Sequence, residues 1–335
     1  MLSAVIKAIS YYLPEKTLSN EQLCAIFPNL IPDDIVKMTG IKKRHISAPD
    51  EIASDIAYAA GEQFFEEHPI EKAAIDFLIF ISDALDYKGP TTACILQDRL
   101  GLPKTAGVLD SLAGCAGFVY GLSMAKALIE SRQAKNVLLL TADMPTKVVH
   151  PEDYELRMIF SDGGAATLVS ASENESGIGD FVFGTDGSGA KNLMTHYSGA
   201  RQPITKEWLE KHKDADGMKH GMMKMNGSEI FIFTLKVVLP MVKELLQKAK
   251  MEMGDIDLFV FHQANGFLLN VLRRKMKIPE EKFYVYLENC GNTVSASIPI
   301  ALKEAMKEGK AKKGDKILLA SFGIGYSWAG TIITL

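Results

Sequence analysis

The 335-residue sequence has no stretch approaching the roughly 18 uncharged apolar residues of a membrane span, so a membrane-spanning protein is not predicted. Its first residues lack the layout of a signal peptide and are typical of a strand. Four cysteines, at positions 24, 94, 115 and 290, form no CxxC pair, which argues against a disulfide framework and a zinc site. The net charge is only −4, which does not indicate a nucleic-acid partner. We therefore predict a cytoplasmic protein without a cofactor.

An internal repeat is present. Residues 75–81 resemble residues 256–262, and residues 135–141 resemble residues 315–321, at nearly the same separation along the chain. Between these apolar segments, each half carries a helical 3.6-residue periodicity, over 115–132 and 295–309. Continuous apolar strands that alternate with such helices predict a duplicated α/β protein whose sheets are covered on both faces.

The repeat predicts two domains, residues 1–172 and 173–335, with a boundary region rich in Ser, Gly, Asn, Asp and Glu. Residues 186–224 form an irregular insert in the second domain that is rich in glycine and methionine. It is either a cap over an apolar channel, since unbranched Met adapts to varied chains, or a surface excursion.

Cys115 is the first candidate functional residue. It lies where an apolar strand gives way to a helix, among small residues that would let a substrate approach. Unpaired N–H groups and the helix dipole at such a position favour the thiolate, which is the nucleophilic form of cysteine. The alternative is a buried cysteine without chemistry, because free cysteine is among the most buried residue types.

His262 and Asn292 are the other candidates, and each lies in a turn before a helix of the second half. Alone, the histidine is equally well explained by local backbone contacts, and the asparagine by helix capping. In a duplicated fold, however, a pseudo-twofold axis brings corresponding helix starts together. The residue that corresponds to Cys115 is Ser295, three positions after Asn292. The symmetry therefore predicts that Cys115, His262 and Asn292 meet.

Nearly from end to end, the sequence resembles the β-ketoacyl-acyl carrier protein synthase III family of the thiolase superfamily. The matching motifs are residues 39–44, 90–94, 97–101, 110–117, 161–165, 262–265, 291–293 and 322–328. The resemblance implies a thiolase-like α/β fold in αβαβα layers, with two halves related by a pseudo-twofold axis.

The resemblance also implies a chemistry. Cys115 would accept an acyl group from a thioester, and His262 with Asn292 would decarboxylate a malonyl thioester for a Claisen condensation. Backbone N–H groups of Cys115 and Ile324 would hold the oxyanion, although the family most often has glycine at position 324. The implied partners are acyl carrier protein, acyl-coenzyme A or both, the malonyl thioester, and a second copy in a homodimer.

Several positions depart from the family. Asp34 and Met38 stand where members that use coenzyme A carry a Trp and an Arg, and Ile232 and Phe267 replace basic residues that dock a carrier protein. A basic run at Arg273, Arg274 and Lys275 offers another carrier surface or is a solvated helix end. Gly89, which replaces an aromatic residue, leaves room for a longer acyl chain. These departures favour a specialised synthase that uses carrier-bound or longer acyl chains.

Two other functions remain open. Cys115 and His262 would also suit acyl transfer to an amine, alcohol or water without a new carbon–carbon bond. A partner subunit of a heterodimeric ketosynthase is the third reading, although such a subunit is expected to lose its nucleophile.

Overall fold

Two five-stranded sheets, one from each half of the chain, form the framework of the molecule. The computed structural model describes residues 2–174, 177–196, 199–211 and 222–335. Its strands are β1 (Ser3–Tyr12), β2 (Thr17–Ser19), β3 (Lys43–His45), β4 (Phe77–Ser82), β5 (Gly107–Leu112), β6 (Asn136–Asp143), β7 (Gly163–Ser172), β8 (Ile178–Thr185), β9 (Leu193–Thr195), β10 (Met223–Met225), β11 (Leu258–Phe261), β12 (Phe283–Tyr284), β13 (Lys316–Gly323) and β14 (Ser327–Thr334).

Eleven α-helices occur in the described ranges. They are α1 (Asn20–Ile26), α2 (Pro32–Thr39), α3 (Ala53–Glu67), α4 (Thr92–Arg99), α5 (Gly117–Glu130), α6 (Pro145–Val148), α7 (Tyr154–Arg157), α8 (Lys206–Lys211), α9 (Gly227–Ala249), α10 (Gly266–Lys275) and α11 (Ser297–Lys307). The two helices predicted between the repeated strands are confirmed as α5 and α11, although each begins two residues later than its predicted start. No described helix is long and apolar enough to cross a membrane.

The strand orders confirm the duplication. The first sheet runs β1-β7-β6-β4-β5 and the second runs β8-β14-β13-β11-β12 when it is read from its equivalent edge. In both sheets the last three strands are mutually parallel and the first three are antiparallel. The repeated sequence segments are confirmed as the matched pairs β4 with β11 and β6 with β13.

Each sheet is buried on both faces, as its continuous apolar strands require. In β4, Ile79 and Ile81 face the central helices, while Leu78 and Phe80 face α3, because successive side chains of a strand point to opposite sides. Helices α5 and α11 form the central layer between the sheets, and α9 with α10 cover the outer face of the second sheet. The predicted αβαβα layering is therefore confirmed.

The starts of α5 and α11 lie against each other at the centre of the molecule. A Cβ placed on Gly117 would lie 3.5 Å from Cβ of Ser295 and only 2.4 Å from Cγ2 of Ile81. Glycine is thus required at the first position of α5, where the helix approaches sheet and partner helix closely. This contact brings the predicted site residues of the two halves together.

The predicted boundary at 172/173 falls in the connection between β7 and β8, and it stays a prediction. Within the predicted insert 186–224, β9 pairs antiparallel with β10. Residues 197–198 and 212–221 of that insert lie outside the described residues.

Candidate active site

Cys115 lies in the turn between β5 and α5, two residues before the helix begins. The backbone N–H of Ile324 lies near its sulfur and lowers the pKa of the thiol. Burial, together with the nearby carboxyls of Asp143 and Asp83, nevertheless raises this pKa to about 12. The expectation that the helix start would favour the thiolate is therefore wrong for the resting protein, because desolvation and these carboxyls outweigh the backbone donors.

Gly323, the last residue of β13, packs directly against the nucleophile candidate. A Cβ at this position would lie 2.5 Å from Cβ and 2.7 Å from Sγ of Cys115, closer than two such atoms approach. The absence of a side chain on Gly323 therefore makes space for the thiol. Sequence reasoning included this glycine in a motif but did not single it out.

His262 follows β11 and is held by its backbone and its ring. Its N–H donates to the carbonyl of Ala320 (2.8 Å), and its Nδ1 lies 2.7 Å from Oγ of Ser297. The same Oγ accepts the N–H of Gln263 at 3.3 Å. Burial lowers the pKa of the imidazole to about 3, so His262 is neutral near pH 7.

Asn292 lies in the turn that leads into α11. Its backbone bonds to Ile159 (3.0 Å) and Ser161 (2.9 Å) fix this turn to the first half of the chain. Its Oδ1 accepts the N–H of Val294 at 2.9 Å. Val294 adopts a φ of 52°, which is strained for a β-branched residue. Because the Oδ1 is engaged, the NH₂ group is the part of the side chain that remains to donate to a ligand.

The three candidates line one cavity, as the symmetry argument predicts. This Cys115 cavity has a volume of about 300 Å³, and Cys115, His262, Asn292, Phe322 and Gly323 are among its lining residues. The edge of the His262 ring meets the Phe322 ring, with centroids 5.7 Å apart. The site thus combines a thiol with a neutral imidazole and an amide that can both donate hydrogen bonds.

A second cavity of about 570 Å³ lies on the other side of the Cys115 turn. Asp83, Gly114, Tyr120 and Ile324 line this Asp83 cavity, and Leu193 lines both cavities. The Ile324 side chain faces the Asp83 cavity, while its backbone N–H faces the sulfur. An added Cβ on Gly114 would lie 3.0 Å from Cγ2 of Ile324, and the narrower access to Cys115 at Ile324 stays a prediction.

Two buried carboxyls beside Cys115 were missed by sequence reasoning. Asp143 ends β6 and Asp83 follows β4, so both lie at the carboxyl edge of parallel strands, where α/β proteins place functional groups. Each is a single polar residue after an apolar run, and that position was the only available signal.

The entrance of the Cys115 cavity is apolar with one acidic group. Met38, Phe231, Phe267, Glu155 and Asn265 line it, and the Phe231 and Phe267 rings stack with centroids 5.9 Å apart. The side chain of Asp34 lies outside this lining and pairs with Lys37 at 2.9 Å. Ile232 is exposed to solvent.

The basic run lies at the far end of α10 from the Cys115 cavity. Arg273 pairs with Glu280 at 3.2 Å, whereas Arg274 and Lys275 are exposed. The ten-residue helix separates them from Asn265 at the entrance. Their role in carrier binding stays a prediction. Gly89 lies on the open surface, with no atom within 4 Å of an added Cβ, so its predicted effect on the acyl chain also stays untested.

Within the described ranges, no group of three or more His, Cys, Asp or Glu side chains is arranged to hold a metal ion.

Comparison with known proteins gives consistent matches. The family model "3-Oxoacyl-[acyl-carrier-protein (ACP)] synthase III" matches residues 109–187, and the model of its C-terminal part matches residues 246–335. The chain is 35% identical over 332 residues to β-ketoacyl-[acyl-carrier-protein] synthase III of Caldanaerobacter subterraneus subsp. tengcongensis, covering 99% of this chain and 98% of that protein.

Solved structures agree. A crystal structure of a 3-oxoacyl-(acyl-carrier-protein) synthase III superposes with a TM-score of 0.95 at 44% identity, covering 99% of this chain and 100% of that one. The synthase III of Thermus thermophilus superposes with a TM-score of 0.88 at 36% identity, covering 99% of each chain.

Proposed function

Because the chain belongs to the 3-oxoacyl-[acyl-carrier-protein] synthase III family, an acyltransferase family that condenses an acyl thioester with a malonyl thioester with loss of CO₂, we propose that Cys115, His262 and Asn292 perform this reaction. The observation that carries the assignment is their meeting in one cavity around a buried thiol. The product is a β-ketoacyl thioester, made in fatty acid or polyketide-type biosynthesis.

In the first step, Sγ of Cys115 attacks the carbonyl carbon of the acyl thioester. The bond between that carbon and the donor sulfur breaks, and the thiol proton ends on the departing thiolate. The N–H groups of Cys115 and Ile324 hold the oxyanion of the tetrahedral intermediate, and one such donor contributes on the order of 3 kcal/mol. The Ile324 N–H lies near the sulfur and lowers the pKa of the thiol, which supports this role.

In the second step, the malonyl carboxylate leaves as CO₂ and its bonding electrons pass to the α-carbon and the thioester oxygen. His262 Nε2–H and the Asn292 NH₂ donate to that enolate oxygen. The α-carbon attacks the acyl carbon, the bond to Cys115 breaks, and the released thiolate takes up a proton. A neutral imidazole suits this task because it donates a hydrogen bond without competing as an acid.

Ser297 is a positioning residue in this scheme. Its Oγ accepts the Gln263 N–H, so its own hydrogen can be donated to Nδ1 of His262. A ring that accepts at Nδ1 carries its proton on Nε2, which is the form that donates to the enolate.

The partners that we propose are an acyl carrier protein as donor and a second copy of the chain. Among its described lining residues, the entrance at Met38, Phe231, Phe267 and Glu155 provides no cation for the three phosphates of coenzyme A, whereas a carrier-bound acyl group brings only one phosphate. At the other side of the molecule, β5 is an edge strand, and its Leu109 and Leu112 are exposed.

An unpaired apolar edge strand is an association surface, and Leu112 also lines the Asp83 cavity. A homodimer through β5 would cover that cavity. Sedimentation equilibrium should give about twice the chain mass of 36.7 kDa, and replacing Leu109 with Lys should lower it toward one chain. A wild-type monomer at micromolar concentration would contradict this assembly.

The first test of the site is intact-protein mass after incubation with acyl thioesters of two to twelve carbons, each on coenzyme A and on carrier protein. Wild type should gain one acyl mass, and the Cys115→Ala variant should gain none. The pattern identifies chain length and donor together. Absence of an adduct from every donor would contradict the role of Cys115.

A further inference from the structure

The Asp83 cavity contains one acidic side chain, and that residue lies next to the proposed nucleophile. A Cβ on Gly114, the residue before Cys115, would lie 3.9 Å from Cβ of Asp83. Asp83 is half-buried and lines the cavity. Gly114 and Ala116, which flank Cys115, line the same cavity, so an acyl chain that turns from Cys115 into it would lie beside Asp83.

Asp83 is bonded to Asp143, a fully buried carboxyl. Its backbone N–H donates to Oδ1 of Asp143 at 2.7 Å. Asp143 is satisfied as a carboxylate, because Oδ2 accepts the N–H of Ser295 at 2.8 Å and the Ser295 hydroxyl. Neighbouring carboxyls disfavour each other's ionisation.

We assign the shared proton of this pair to Asp83. Burial raises the pKa of both carboxyls, and the adjacent charge of Asp143 raises that of Asp83 well above its usual range. Asp143, with its three donors, keeps the negative charge. Asp83 thus presents a neutral carboxylic acid to the cavity, with an oxygen that can accept a hydrogen bond from a ligand.

The other residues that line the Asp83 cavity indicate which ligand the Asp83 carboxyl would recognise. Leu112, Tyr120, Met124 and Ile324 are apolar, while Ser111 and Thr185 lie elsewhere in the lining. An unsubstituted alkyl chain would cover the Asp83 carboxyl without bonding to it, which costs free energy. A chain with a hydroxyl group near the thioester would satisfy it.

We propose that Asp83 is a specificity-determining residue that selects acyl groups with a hydroxyl substituent close to the thioester, such as 3-hydroxyacyl groups. The inference rests on the proposed role of Cys115 as acyl acceptor, and it adds the substrate class that the same site prefers.

The test compares acylation rates of the full chain with N-acetylcysteamine thioesters of octanoic, 3-hydroxyoctanoic and 3-aminooctanoic acid, followed by intact mass. These small donors remove any contribution of coenzyme A or a carrier protein. The variants are Asp83→Ala, Asp83→Asn, which keeps the shape and a hydrogen-bonding group, and Asp50→Ala, an exposed acid outside both cavities, as the control.

Wild type should prefer the 3-hydroxyoctanoyl donor over the octanoyl donor by about tenfold, the effect of one buried hydrogen bond. Asp83→Ala should abolish the preference while it still captures octanoate, Asp83→Asn should keep part of it, and Asp50→Ala should match wild type.

Equal wild-type acylation rates with the 3-hydroxyoctanoyl and octanoyl donors would overturn the inference and leave the proposed reaction intact. A ratio of these two rates that is unchanged in Asp83→Ala would do the same. Preference for the 3-amino donor would overturn it by showing that Asp83 is ionised. Loss of octanoate capture in both Asp83 variants would assign the residue a structural role instead. Failure of wild type to capture any donor would overturn the role of Cys115 and this inference with it.

Discussion

The two halves share one scaffold, but they place opposite chemistry at the centre of the molecule. In the first half, the ends of β4 and β6 carry the acids Asp83 and Asp143, and the start of α5 follows a thiol. In the second half, the equivalent strand β11 ends before His262 and β13 ends at Gly323. The first half thus supplies the proposed nucleophile and the negative charge, whereas the second supplies space and hydrogen-bond donors.

Ser295, the residue of the second half that is equivalent to Cys115, shows this difference between the halves. Ser295 does not face the Cys115 cavity but bonds to Asp143 at 2.8 Å across the interface between the halves. The duplicated helix start therefore serves as a nucleophile site in one half and as a structural tie in the other. Duplication lets one fold hold two incompatible sets of groups within reach of a single substrate.

Among variants that keep Cys115, His262 and Asn292, the largest expected effect comes from filling the space that the second half leaves for the thiol. Gly323→Ala places a methyl group 2.5 Å from Cβ of Cys115, so the thiol must move. Acyl capture, measured by intact mass, should slow by about 100-fold, because a displacement near 1 Å at the reacting centre costs that much.

Gly254→Ala is the matched control, since no atom lies within 4 Å of its added Cβ. It should capture acyl groups at the wild-type rate. Wild-type capture by Gly323→Ala would mean that the close contact does not position the sulfur.

A smaller effect is expected from Ser297, which acts through His262. Ser297→Ala should slow malonyl decarboxylation by about tenfold, the range for one orienting hydrogen bond, and leave acyl capture unchanged. Ser297→Thr keeps the hydroxyl and should restore most of the rate.

Nitrogen-15 NMR of labelled histidine distinguishes a changed tautomer of His262 from a general disturbance of the site by the substitution. Wild type should show His262 protonated on Nε2, and Ser297→Ala should show a mixture of tautomers. An unchanged tautomer together with a slow reaction would disprove the positioning role.

The strands and helices could be predicted from the sequence, whereas the burial and protonation of the site residues could not. Apolar periodicity is a local property, so β4, β6, β11, β13, α5 and α11 were all indicated by the sequence. The meeting of Cys115, His262 and Asn292 followed from symmetry. Burial, however, depends on contacts between distant segments, and the expected thiolate at Cys115 is a buried thiol for this reason.

The acidic pair illustrates the same limit. Asp83 and Asp143 are 60 residues apart, and neither belongs to a motif, yet the adjacent strands β4 and β6 bring their carboxyls into contact. Ser297 was overlooked because it begins α11, whereas its partner, the His262 ring, follows β11. Pairings between single polar residues at separate strand ends have no local signature.

The most direct test of the division between the halves is the Asn292→Ala variant, assayed for two reactions. The variant should still gain an acyl mass on Cys115, while CO₂ release from a malonyl thioester should fall by about 100-fold or more, the cost of losing one oxyanion donor. Cys115→Ala should show the loss of acyl capture instead. Condensation at the wild-type rate by Asn292→Ala would contradict the assignment of decarboxylation to the second half.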